Sequence, residues 1–283
     1  SMFERLQLAA RLGRALDETA PRRIGVVATD PDAQVAARDL EAAVTALWAR
    51  ACQLPRFKGK SEPRAKATEL RLFGPSVLDL ERLAAEARGN GLARWLTAQP
   101  ANVLTPASYR RAVARLARRH RWRMRFFGRA ALERLGAGAF LAVTQAHDAG
   151  SGIVQLSYRP QRARGAPTLA LVGKGVCFDT GGVNLKTHRS MLDMHTDMGG
   201  SAVALAVLEA LTTLKVPFGV DAWLALAENQ IGPRAYKPQD VVRAVNGTTI
   251  QVIHSDAEGR MLLADTLALA ARTRPKLIVD YAT

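Results

Sequence analysis

From Phe140 to the last residue, the chain repeats one alternation. Short apolar runs, FLAVTQ, IVQLSY, LALVGKG, DAWLALAE, IQVIHS and KLIVDYA, are separated by helical segments such as GGSAVALAVLEALTTL and EGRMLLADTLALAART. Strands separated by helices of ~10 to 15 residues predict parallel pairing, with both faces of the sheet covered. Upstream, RIGVVAT (Arg23 to Thr29) reads as a buried strand, and Asp32 to Leu54 reads as a long helix with apolar residues at helical spacing. The polar, basic stretch Pro55 to Ala67 contains two prolines and reads as a loop, and a second helix is expected at Asp79 to Leu96. The predicted fold is therefore α/β: a mostly parallel central sheet flanked by helices, preceded by a smaller α/β N-terminal domain. The boundary falls near Arg88 to Gly91 and divides residues 1–90 from 91–283.

A length of 283 residues with 48% hydrophobic residues is ample for a real core. Cys52 and Cys177 stand far apart with no CxxC or Cys/His spacing, which suggests neither a disulfide framework nor a thiolate zinc site. They read as reduced thiols of a cytoplasmic protein. No stretch reaches the roughly 18 apolar residues of a membrane span, so no membrane partner is expected.

The net charge is +15, and its densest source is RRAVARLARRHRWRMRFFGR, Arg110 to Arg129. Pro106 and Ser108 are placed to open a helix whose basic face runs from Arg110 to Arg119. A strand follows in which Trp122, Met124 and Phe126 point one way and Arg121, Arg123 and Arg125 the other. Such a run ordinarily marks a solvated face. The sharper alternative is a nucleic-acid surface, because clustered arginines gain affinity from phosphate contacts and counterion release. No base-reading motif accompanies it.

In open α/β sheets, functional groups gather where strands end and loops turn into helices. Lys174, Asp179 and Lys186 lie in VGKGVCFDTGGVNLK, Asp197 lies in TDMGG, and Asp256, Glu258 and Arg260 lie in HSDAEGR, all at such places. Each has an ordinary alternative. Asp197 can cap a helix, Glu258 can complement a helix dipole, and a lysine in a glycine-rich turn can touch a phosphate, although GKG lacks the spacing of a Walker loop. Together the four carboxylates would repel strongly without cations and would balance two divalent ions. Two such ions can bind one water, lower its pKa and polarise a carbonyl, which is hydrolase chemistry.

These blocks, with QPANVLTP and AVTQAHDAGSGIVQLSY upstream and KLIVDYAT downstream, closely resemble the signatures of the leucyl aminopeptidases, the cytosolic leucine aminopeptidase family. The resemblance covers roughly Leu92 to Thr283, and the first ninety residues match only loosely. It implies two zinc or manganese ions bridged by Asp179 and Glu258, with Lys174 and Asp197 completing one site and Asp256 the other. It implies Lys186 as the catalytic lysine, Arg260 as the holder of a bicarbonate general base, and Met194 as part of the substrate side-chain pocket. The implied reaction is attack of a metal-bridging hydroxide that removes N-terminal, leucine-type residues from peptide substrates. The implied assembly is a homo-oligomer, a hexamer of two stacked trimers.

A lysine ligates a metal only as the neutral amine, which at pH 7 costs about 4.6 kcal/mol for a reference pKa near 10.4. Lys174 is thus expected to be neutral only with metal bound, whereas Lys186 stays an ammonium. Two departures stand out: His254 replaces the usual asparagine and Cys177 replaces a threonine, and neither removes a catalytic group. The family's catalytic domain continues past LIVDYAT, so the resemblance also implies that its C-terminal part is missing, as in a fragment or a shortened homologue. Two other functions are compatible with these residues. One is a weakly active or inactive homologue that binds DNA through its basic surface, as some bacterial members of the family do. The other is a phosphoryl hydrolase using the same carboxylates.

Overall fold

In the computed structural model, which describes residues 1–16, 19–59, 67–74, 78–147, 150–161 and 165–283, the chain divides into two units, Ser1–Gly91 and Leu92–Thr283. The first unit opens with helix α1 (Met2–Ala15). Strand β1 (Arg23–Val27), helix α2 (Ala33–Ala51) and strand β2 (Glu69–Phe73) follow, and helix α3 (Leu80–Thr97) runs across the division. β1 and β2 pair in parallel. Asp32 starts α2 by accepting the N–H groups of Gln34 and Val35, and Ala36, Leu40 and Val44 then bury one face of the helix. Of the loop expected over residues 55–67, positions 60–66 lie outside the described residues.

The second unit begins with helix α4 (Pro106–His120), strand β3 (Arg123–Gly128) and two short helices, α5 (Arg129–Leu135) and α6 (Gly138–Thr144). Strands β4 (Gly152–Tyr158) and β5 (Leu169–Asp179), helices α7 (His188–Met191) and α8 (Gly199–Thr213), and strand β6 (Val220–Asn229) come next. A ribbon of β7 (Val241–Arg243) and β8 (Thr249–Gln251) leads to helix α9 (Glu258–Ala271) and strand β9 (Leu277–Tyr281).

The five-stranded sheet has the order β3-β4-β6-β5-β9. β5 runs parallel to β6 and β9, while β4 is antiparallel to β6 and β3 to β4. The α/β class thus holds, but the sheet is mixed and not mostly parallel: strand–helix alternation does not determine direction towards an edge, where antiparallel strands are common. All ten residues of β6 are buried because helices cover both faces. Leu171, Leu224 and Leu226 pack against α4 and α8, and Val172, Trp223 and Ala225 pack against α5, α6 and α9.

Two apolar runs differ from expectation. FLAVTQ forms helix α6, buried against α9 and β6, because a short run that is apolar on all sides suits a buried helix as well as a strand. IQVIHS contributes only β8, which pairs with β7 outside the main sheet, and then tightens into a 3₁₀ turn at Ser255–Ala257. Asp265 of α9 holds this region together. Its fully buried carboxylate accepts the Phe140 N–H at 2.8 Å and the Val245 N–H at 2.7 Å, tying α6 and the β7–β8 turn to α9.

The basic run behaves as a solvated surface over a packed interior. Tyr109, Val113 and Ala117 bury one face of α4, whereas Arg111, Arg115, Arg118 and Arg119 are exposed. Along β3, exposed Arg123 and Arg125 alternate with half-buried Met124 and Phe126. Buried Trp122 donates its indole N–H to Thr212, and Arg110 stacks on Phe126.

Candidate metal centre

Lys174 projects from β5 with its side chain almost wholly buried. Its Nζ lies 2.7 Å from Asp197 Oδ1 and 2.8 Å from Glu258 Oε1, and it also donates to the Thr283 carbonyl at 3.2 Å. Room for this side chain depends on Gly259, where a Cβ would come within 2.8 Å of Lys174 Cε. Thr283 Oγ1 donates to the same Asp197 oxygen at 2.8 Å. Asp197 does not cap α8, which begins without a side-chain cap, and Glu258 is the first residue of α9. Burial alone would drive the Lys174 amine below its ordinary range, but Glu258 and Asp197 outweigh it and hold the amine above that range. Burial also pushes the Asp197 carboxyl up to about 6, against the opposing pull of Lys174.

A second lysine–carboxylate group adjoins the first. Lys186 Nζ lies 3.0 Å from Asp179 Oδ2 and 2.6 Å from Asp256 Oδ1. The β5–β6 register slips between Val176 and Asp179, a bulge that breaks strict alternation just before Asp179, the last residue of the strand, pairs with Asn229. Gly181 then turns the chain at φ +87°, where a Cβ would meet the Asn184 carbonyl at 2.4 Å. Although burial opposes the Lys186 charge, its bonds to Asp256 and Asp179 raise its pKa and keep it an ammonium.

This donor set fits divalent cations. One oxygen from each of Asp179, Asp256 and Glu258 lies within 4.8 Å of the others. Asp197 Oδ2 and Glu258 Oε2 are buried without a hydrogen-bond partner among the described residues, a costly state for a charged oxygen. Four carboxylates face two ammonium groups, so negative charge is in excess in a site shielded from water. Hard, oxygen-seeking cations supply what the oxygens lack.

The structure therefore brings together six of the residues singled out by sequence: Lys174, Asp179, Lys186, Asp197, Asp256 and Glu258. Arg260 is exposed on the first turn of α9, and Met194 is half-buried in a 3₁₀ turn (Met194–Thr196) just before Asp197. His254 is exposed, and its Nδ1 accepts the Asp256 N–H at 3.2 Å. Four neighbours escaped the sequence reading: Asn229, Tyr236, Ser255 and Thr283. Asn229 carried a usable signal, as the polar end of a strand otherwise apolar enough to be buried on both faces.

The described helices include none long and apolar enough to cross a membrane. The family model of the cytosol aminopeptidase catalytic domain matches residues 91–283. A probable cytosol aminopeptidase of Synechococcus sp. (strain WH7803) is 42% identical over 235 residues, covering 81% of this chain and 47% of that protein. Its counterpart in Parasynechococcus marenigrum (strain WH8102) is 41% identical over 260 residues, covering 90% and 52%. The chain spans about half the length of the curated relatives it matches. The 1.8 Å crystal structure of cytosol aminopeptidase from Coxiella burnetii superposes with a TM-score of 0.83 at 30% identity, covering 98% of this chain and 58% of that one. The chain therefore belongs to the cytosol aminopeptidase family.

Proposed function

We propose that this chain carries the catalytic centre of a metal-dependent aminopeptidase that removes N-terminal, leucine-type residues from peptides in the cytoplasm. The observation that carries this reading is the group of four carboxylates and two lysines, half-buried at Asp256 and Lys186 and buried elsewhere, with unpartnered carboxylate oxygens. Family membership supports it. Asp179 and Glu258 would be shared between two zinc or manganese ions, with Lys174 and Asp197 holding one and Asp256 the other. Bound there, two divalent ions would supply Lewis acidity and an activated water for attack on the scissile carbonyl.

The remaining work falls to the chain's own residues. Lys186, kept protonated by Asp256 and Asp179, donates to the carbonyl oxygen as negative charge develops on it. Arg260, exposed two residues beyond Glu258, offers a guanidinium to a bicarbonate ion serving as general base. Met194, half-buried before Asp197, lines the pocket for the substrate's side chain. Assembly as a hexamer belongs to the same reading and rests on family resemblance alone.

A second reading rests on a separate observation. Arg111, Arg115, Arg118, Arg119, Arg121, Arg123 and Arg125 are all exposed, and none forms an ion pair among the described residues. This surface suits a nucleic acid, whose phosphates would supply the missing counter-charge.

Three measurements bear on these readings. Asp256→Ala and Glu258→Ala should each lower manganese-stimulated hydrolysis of leucine p-nitroanilide by about 10³-fold, roughly 4 kcal/mol of transition-state stabilisation, while circular dichroism stays unchanged. Normal turnover in either variant would refute the site. Metal uptake must displace the Lys174 proton throughout the neutral range, and below about pH 6 the Asp197 proton as well. The logarithm of the manganese affinity should therefore rise by about one per pH unit above pH 6 and by nearly two below it, and a flat profile would exclude these two ligands. For the basic face, anisotropy titrations of a DNA fragment should weaken steeply with salt, by a slope of about 0.9 per phosphate contact. Reversing Arg115 and Arg119 to Glu should flatten that slope, and a chain that leaves DNA unbound at low salt would end the second reading.

A further inference from the structure

One neutral side chain joins the two loops that carry the carboxylates. Asn229, the last residue of β6, is fully buried, and it directs both Nδ2 hydrogens across the site: to Asp179 Oδ1 at 2.8 Å and to the Ser255 carbonyl at 3.1 Å. Its own carbonyl accepts the Thr180 N–H at 2.9 Å and the Thr180 hydroxyl at 2.8 Å. Ser255, also fully buried, completes the join from the other side. Its hydroxyl donates to the Gly181 carbonyl at 2.6 Å and accepts the Asn184 N–H at 2.8 Å, while its own N–H donates to Asn184 Oδ1 at 2.8 Å. Buried Tyr236 donates to the same Ser255 carbonyl that Asn229 reaches.

We infer that Asn229, Ser255 and Asn184 form a clamp that sets the separation of the Asp179 loop from the Asp256–Glu258 loop, and so act as positioning residues for the metal ligands. The inference rests on the metal-centre reading above and adds residues to it. Three considerations favour positioning over general support. The carboxylates on the two loops repel each other, so the loops need a tie that is independent of the cation. Every member of the tie is neutral, and a neutral donor orients a carboxylate without competing for the metal as another lysine would. The fit is also close: a Cβ on Gly182 would stand 3.0 Å from Ser255 Oγ and 3.1 Å from Asn229 Oδ1. Ligand spacing in a metal site is held to about 0.2 Å, so a small relaxation of this tie registers as lost affinity.

The test is Mn²⁺ binding to the full chain, read from the electron paramagnetic resonance signal of free Mn²⁺, with metal-free melting temperatures recorded alongside. Wild-type is compared with Asn229→Ala, Ser255→Ala and Asn184→Ala, and with Asp265→Asn as a buried structural control. Affinity should fall by about 10- to 100-fold in Asn229→Ala and Ser255→Ala, and by less in Asn184→Ala. Asp265→Asn should bind as wild-type does even where its melting temperature drops further. Should Asn229→Ala fail to fold, the Ser255 and Asn184 variants decide the matter. Wild-type affinity in those variants, or an equal loss in Asp265→Asn, overturns the clamp alone, whereas a wild-type chain that takes up no Mn²⁺ overturns the metal centre itself.

Discussion

The packing of four carboxylates, three of them buried, against two lysines near the end of β5 and the starts of α8 and α9 is the interaction on which the second unit's local architecture depends. Removing charges from water costs several kcal/mol each unless compensation is nearly complete. Here compensation is partial: Lys174 pairs with Asp197 and Glu258, Lys186 pairs with Asp179 and Asp256, and two buried oxygens are left without hydrogens to accept. The surrounding backbone accommodates this arrangement at specific points. Gly259 leaves space for the Lys174 stem, a bulge shifts the register at Asp179, and Gly181 turns the loop back so that Lys186 reaches both carboxylates.

The sheet explains why these groups meet. Parallel β5, β6 and β9 end on the same side, so residues leaving them converge although 109 positions separate Lys174 from Thr283. The antiparallel strands β4 and β3 extend the sheet away from the site, and β3 forms an edge carrying exposed Arg123 and Arg125. Charged side chains on an edge strand discourage further pairing, a structural use of the basic run that coexists with either reading of its surface. Asp265 ties α6 and the β7–β8 turn to α9.

Most of the carboxylates and lysines are legible because they stand near strand ends or helix starts close to glycines, a pattern local to a few residues, whereas Lys174 lies within β5, which runs on to Asp179. The β5 and β6 runs are legible for a related reason: strands buried on both faces are continuously apolar. Asn229, Ser255 and Tyr236 could not be assigned roles in this way, since their partners lie 50, 71 and 19 residues away and depend on how the loops meet. FLAVTQ resembles a strand in sequence because burial on all sides of α6 erases helical periodicity, and IQVIHS resembles a main-sheet strand although its apolar residues serve a short ribbon. The direction of β4 depends on which strand it pairs with, and no residue in it encodes that choice. Arg260 remained attached to the site by family resemblance alone, being exposed on its helix.

With negative charge in excess, this cluster reads as a two-ion centre whose ligands include a neutral lysine. Anomalous diffraction from crystals of the full chain grown with Mn²⁺ tests it most directly. Two anomalous peaks are expected among Asp179, Asp197, Asp256 and Glu258, with Lys174 Nζ coordinated to one of them. Crystals showing no peaks there, with Lys174 still paired to Asp197 and Glu258, would contradict it.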